Sequence, residues 1–212
     1  MKNIIFIAPP AAGKGTQSEL LISKYDYEHI STGDLLRNEI KSGSDLGKEL
    51  DSMMKSGSLI SDEIVNKLLI NALSSITKPF ILDGYPRTIS QALKLDEILA
   101  SLNKSVDVVV YLDVEEELAM KRATGRLSCK SCNRIYHKYF SKPKVEGICD
   151  DCGSSLISRA DDTPDTFKVR YDTYMSNTKP LLDFYSNKNI LVRVDANKEA
   201  KETFSEIEKV IG

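Results

Sequence analysis

The sequence predicts an α/β fold of three layers, a five-stranded parallel sheet covered by helices on both faces, and three observations carry that expectation. Short β-branched runs alternate with longer stretches of helical period, which is the pattern of repeated strand-helix crossovers. Three of the short runs are nearly continuous in apolar residues, as strands buried on both faces are. At 212 residues the chain is long enough for one well-buried unit with insertions, and short for two full domains.

In chain order, "NIIFI" gives a strand from Asn3 to Ile7, and a helix is expected from Lys14 to Lys24 behind a run of small residues. The second strand is read over Tyr27 to Ile30, followed by helices at Thr32 to Ser42, Leu46 to Ser56 and Asp62 to Ser74. "FILD" supplies the third strand, Phe80 to Asp83, with a helix from Ile89 to Leu102. The apolar run Val106 to Leu112 is the fourth strand, with a helix from Glu115 to Thr124. After an interruption come a helix from Thr163 to Ser186, the fifth strand from Ile190 to Asp195 and a last helix from Lys198 to Ile211. Two segments break the alternation: about fifty residues between the second and third strands, and Leu127 to Ser158, where helical period is lost. Both read as insertions on the core, which spans 1–30, 61–126 and 160–212; the insertions are 31–60 and 127–159.

With 29 basic and 31 acidic residues the formal charge is −2, so nothing in the overall balance invites nucleic acid or an anionic membrane. No run approaches the roughly 18 apolar residues of a spanning helix, and Ile4 to Ala8 is too short for a signal-peptide core. A cytoplasmic protein is expected. The basic residues divide into 21 Lys and 8 Arg. Arginine's planar fork grips phosphate bidentately, so the few arginines are the better pointers to a phosphate site.

"APPAAGKGTQ" follows the first strand and opens the first helix, the context a phosphate loop requires. Backbone N–H groups around Ala12, Gly13, Gly15 and Thr16 and the helix's positive end would cradle phosphate oxygens, with Lys14 reaching the β/γ phosphates. Ala8 and Ala11 depart from the glycines usual there; a Cβ at positive φ costs about 1–2 kcal/mol. A plain strand-turn-helix junction is the competing reading. Arg122 and Arg126, four apart, are expected on one helix face.

"ISTGDLLR" (Ile30 to Arg37) and "LDGYPRTISQ" (Leu82 to Gln91) give the loop company, and the chain resembles the adenylate kinase family in its long, lid-bearing form over essentially its whole length. The resemblance implies a P-loop NTPase-like core, a helical NMP-binding insertion, a small lid, and reversible phosphoryl transfer from Mg²⁺-bound ATP to AMP giving two ADP. It implies a monomer that binds neither nucleic acid nor membrane. It places Thr32, Arg37, Gly84, Arg87 and Gln91 at AMP, with Met54, Ser58 and Ile60 lining its base and ribose. Arg122, Arg126, Arg159 and Arg170 would converge on the nucleotide phosphates, Arg122 also near the ATP base and Arg159 and Arg170 also facing AMP. With Lys14 and Arg87 these four arginines form the expected catalytic set. Thr32 is read as a helix cap. Asp83 is either near the Mg²⁺ hydration shell, as the resemblance implies, or a turn cap before Gly84.

"CKSC" (Cys129 to Cys132) and "CDDC" (Cys149 to Cys152) stand sixteen residues apart, the spacing of a closed tetrahedral Cys₄ zinc site. Four thiolates leave no open position, so a structural role is expected, with His137 a bystander. Disulfides or a redox pair are the alternative. Two other functions compete: a related nucleoside monophosphate kinase using GTP, CMP or UMP, and a non-catalytic zinc-ribbon nucleotide-binding module.

Overall fold

The computed structural model describes residues 1–56 and 60–212, with the side chains of 54–56 left undescribed. Five strands form one parallel sheet in the order β2-β3-β1-β4-β8: β1 (Ile4–Ile7), β2 (Glu28–Ser31), β3 (Phe80–Asp83), β4 (Val108–Asp113) and β8 (Leu191–Asp195). The expected strands are therefore present, each within two residues of its predicted bounds.

Alternation along each strand divides the core in two. Ile5, Ile7, Ile30, Leu82, Val109 and Tyr111 point to one face, packed by α2 (Thr32–Lys41), α4 (Asp62–Ser74), α5 (Ile89–Ser101) and α8 (Leu181–Asn187). Ile4, Phe6, Ile81, Val108, Val110 and Leu112 point to the other, packed by α1 (Lys14–Tyr25), α6 (Glu116–Thr124), α7 (Pro164–Thr173) and α9 (Ala200–Ile211). Burying each such aliphatic side chain stabilises the fold by about 1.5–3 kcal/mol. α3 (Asp45–Ser56) packs with α2 outside the sheet and delivers Leu50, fully buried, to the first cluster.

Three expectations need correction. The helix read as Thr163 to Ser186 is α7, a π-helical turn from Tyr174 to Thr178, and α8. Pro180, with no N–H and a ring that crowds the preceding turn, ends the continuous ladder. The cap of α2 is Ser31, whose Oγ accepts from the Asp34 N–H; Thr32 is the first helical residue. Arg122 and Arg126 do not share a helix face, because α6 closes at Gly125 and Arg126 begins a strand. The cysteine segment, without helical period as expected, is a small sheet in which β5 (Arg126–Cys129) pairs antiparallel with β6 (Ile135–His137) and β7 (Leu156–Ile157). Strands of two to four residues carry no readable alternation.

Candidate phosphoryl-transfer site

The loop lies beyond the carboxyl end of β1, where parallel α/β sheets place their ligands. Helix α1 starts without a side-chain cap, its N-cap being Gly13 at φ 100°. Its first N–H groups therefore keep their donors for an anion, and the helix dipole favours negative charge at that end. Ala11 sits at φ 59°, in the left-handed region, whereas Ala8 is not among the residues with positive φ. The strain feared at one alanine is real at Ala11 and absent at Ala8. Ala11→Gly should relieve the Cβ clash of about 1–2 kcal/mol, less about 0.4–1 kcal/mol for the freer unfolded chain. The expected outcome is a small rise in melting temperature; a lower one would contradict the strain.

Asp83, at the end of β3, meets an ammonium and an imidazole. Lys14 Nζ stands 3.8 Å from Oδ1, and His29 Nε2 stands 3.7 Å from Oδ2. Burial alone would raise the Asp83 pKa, but Lys14, His29 and Arg87 overcome it and hold the carboxyl below its usual range. Burial lowers the Lys14 pKa against the pull of Asp83, and Arg87, Arg170 and Arg126 lower it further. Gly84, next along, has φ 85°, and a Cβ there would come within 2.7 Å of Thr32 Oγ1. Only glycine fits this close approach of β3 to α2.

Five arginines gather above this pair. Arg87 Nε donates to the Gly84 carbonyl at 2.9 Å, and Thr178 from the π-helical turn donates to the Arg87 carbonyl at 2.9 Å. Burial and Arg170 lower the Arg87 pKa. Arg37 donates twice to Asp34 Oδ1, at 2.7 and 3.1 Å. Arg126 forks onto Asp162, with Nε 2.7 Å from Oδ2 and a second bond to Oδ1. Arg170 reaches Asp161 Oδ2 at 2.9 Å and Asp162 Oδ1 at 3.7 Å. Arg159 makes no ion pair among the described residues; its Nε donates to Ser128 Oγ at 2.9 Å. Burial, then Arg126 and Arg37, pull the Arg159 pKa down to about 10. So many mutually repelling cations in one half-buried space are a standing demand for an anion.

The structure places Arg122 apart from this group: its guanidinium donates to the Ala196 carbonyl at 2.8 Å and the Lys198 carbonyl at 3.2 Å, beside the loop after β8. Gln91 is buried at the start of α5, and Ile60 is buried in the first core cluster. An apolar crevice lined by Thr32, Leu35, Leu36, Val65 and Leu68 opens beside Thr32. Ser58 lies outside the described residues, as does the Met54 side chain. His29, Asp34, Leu35 and Val65 were not singled out from the sequence. "EHISTGD" held the signal for the first two, since polar residues at a strand's end and in the next helix's first turn face the ligand edge.

Within the small sheet, the Sγ atoms of Cys129, Cys132, Cys149 and Cys152 all lie within 4.8 Å of one another. Zinc bound tetrahedrally by four sulfurs at about 2.3 Å requires S···S separations of about 3.8 Å, so this all-sulfur set fits that ion. Cys129 and Cys149 are buried with Tyr136, while Tyr139 and Phe140 are exposed. His137 is no ligand: its Nδ1 accepts from the Tyr139 and Phe140 N–H groups at 3.0 and 3.2 Å, and its Nε2 lies 3.3 Å from the Lys121 carbonyl. The lid reaches the rest of the site through Ile135, packed over Gly15, and Asn133, whose Oδ1 accepts from Lys41 Nζ at 3.3 Å.

A parallel sheet whose first strand runs through an uncapped anion-binding loop, with a lysine and converging arginines above it, defines a P-loop nucleotide-binding phosphotransferase. The chain matches the family model described as "Adenylate kinase" over residues 6–190. It is 43% identical over 212 residues to an adenylate kinase of Clostridium tetani, covering 99% of this chain and 98% of that protein. It is also 43% identical over 211 residues to one from Archaeoglobus fulgidus (99% and 97% covered), and 41% identical over 210 residues to one from Listeria monocytogenes (98% of each). The chain belongs to the adenylate kinase family.

Proposed function

We propose that this protein transfers the γ-phosphoryl group of Mg²⁺-bound ATP reversibly to AMP, giving two ADP. The observation that carries this reading is the meeting of Lys14, Arg37, Arg87, Arg126, Arg159 and Arg170 over Asp83. Phosphoryl transfer needs positioning and charge neutralisation more than covalent help, and the AMP phosphate is already an anionic nucleophile. The N–H groups from Ala12 to Thr16 and Lys14 hold the donor's phosphates. Arg37 and Arg87 hold the AMP phosphate, and Arg126, Arg159 and Arg170 neutralise the oxygens between the two nucleotides. Arg122 serves the donor's base side. Asp83, kept ionised, would help hold hydrated Mg²⁺, which would supply charge neutralisation to the phosphates.

In this reading, 1–30, 61–126 and 160–212 form the core, 31–60 the AMP-binding insertion and 127–159 the zinc-bearing lid, in a cytoplasmic monomer. Among the described residues no helix is long and apolar enough to cross a membrane. Closing the lid excludes water that would otherwise hydrolyse the γ-phosphoryl. A coupled assay with ATP, AMP and Mg²⁺ tests the reading: two ADP per AMP consumed supports it, and no turnover contradicts it. Faster use of GTP, CMP or UMP would shift it to a related nucleoside monophosphate kinase.

Zinc here is structural, since a small three-stranded sheet buries too little apolar surface to hold its shape alone. Stripping the metal should lower the melting temperature while far-ultraviolet circular dichroism at 25 °C keeps most of its amplitude. Identical calorimetric transitions, after metal loss is confirmed, would contradict that role.

A further inference from the structure

Gln91 is almost wholly buried, and both ends of its carboxamide are committed. Its Oε1 accepts from the Arg87 backbone N–H at 2.7 Å, and its Nε2 donates to Asp62 Oδ1 at 2.6 Å. Turning the amide over would set NH₂ against N–H at one end and carbonyl oxygen against carboxylate at the other. One orientation is therefore selected, with one acceptor lone pair and one N–H still free. Asp62 is the first residue of α4, and the Thr88 hydroxyl at the cap of α5 accepts from the Gln91 N–H at 3.1 Å, which fixes the root of the side chain.

We propose that Asp62 is a positioning residue for base selectivity: by locking the Gln91 amide in one orientation, it lets the site read the amino and ring-nitrogen edge of adenine and reject its inverse. The proposal rests on the reading of Gln91 as an AMP-base contact. An unlocked carboxamide reads two opposite edges, because a half-turn exchanges its donor and acceptor. Adenine offers a donor (the 6-amino group) beside an acceptor (N1), whereas hypoxanthine, of the same shape, offers an acceptor beside a donor. A locked amide matches the first and conflicts with the second. Asp62 need not touch the nucleotide to act this way.

The test compares AMP with IMP as acceptors, using ATP and Mg²⁺ with the full chain. Asp62→Ala should raise KM for AMP about tenfold, the loss of roughly 1.4 kcal/mol from one charge-assisted hydrogen bond. It should leave kcat within about twofold, because a base contact is made equally in ground and transition states, and it should narrow the AMP-over-IMP ratio of kcat/KM. Asp62→Asn, which keeps an acceptor for Nε2, should recover much of the ratio. In a Gln91→Ala background, Asp62→Ala should have no further effect on the ratio, since the two act as one unit. An unchanged ratio in Asp62→Ala, or full additivity with Gln91→Ala, would overturn the proposal and leave Asp62 a helix-end charge. Failure of the unaltered protein to turn over ATP with AMP would instead strike the functional reading beneath it.

Discussion

Lys14→Ala should lower kcat about 10³-fold or more while the protein stays folded. The lysine sits at the start of α1, whose N-cap Gly13 provides no side-chain cap, and its ammonium stands 3.8 Å from the Asp83 carboxylate. Removing one preorganised donor to a developing charge costs about 10²–10³ in rate. Here the loss has a second part, because Asp83 would keep its negative charge in the site without the ammonium that does most to hold it ionised. Since the lysine acts mainly on charge built up in transfer, kcat and kcat/KM should fall together. Steady-state kinetics beside a circular dichroism spectrum checks this, and an unchanged kcat would refute the phosphate-loop assignment.

Arg159→Ala should lower kcat about 10²–10³-fold and at the same time raise the melting temperature of the nucleotide-free protein. The two effects have one cause. Arg126 and Arg170 are paired with Asp162 and Asp161, and Arg37 with Asp34, but among the described residues Arg159 makes no ion pair, its Nε donating to the Ser128 hydroxyl, and the repulsion of Arg126 and Arg37 outweighs the pull of Asp162 and Asp161 on it. Its charge is costly until an anion arrives, which is how a site trades stability for function. Thermal melts of both proteins with and without nucleotide test this: the order should reverse when a polyphosphate ligand is added. A variant less stable than the parent without ligand would contradict it.

The parts of the site that rest on backbone geometry and spacing were legible in the sequence. A strand of continuous apolar residues, then small residues, then GKGT, has few other uses, and paired C-x-x-C knuckles fix a sulfur cluster whatever lies between them. The arginines were legible as a set because the chain has so few and because the resemblance to the adenylate kinase family placed them together. What each arginine touches was not legible, because ion pairing depends on tertiary approach: Asp162 lies 36 residues from Arg126, and nothing local announces the pair. Arg122 shows the same limit, since a spacing of four implied a shared face with Arg126 only while Gly125 was assumed to lie within a helix. The π-helical turn was hidden because Tyr174 to Thr178 keeps an apolar pattern compatible with ordinary helix. It matters, since Thr178 holds the Arg87 carbonyl. The strain at Ala11 could be posed from sequence as a condition on φ, and only the backbone decided it.

The carboxylates that hold the arginines give the site its most direct test. Asp34, Asp161 and Asp162 hold guanidinium groups that the phosphates are proposed to claim. A crystal structure with a bisubstrate analogue, two adenosines joined through five phosphates, should show Arg37, Arg87, Arg126, Arg159 and Arg170 within hydrogen-bond distance of phosphate oxygens, with Lys14 among the donor's phosphates. Density showing the analogue bound elsewhere, or bound with those five guanidinium groups directed away from its phosphates, would contradict the assignment.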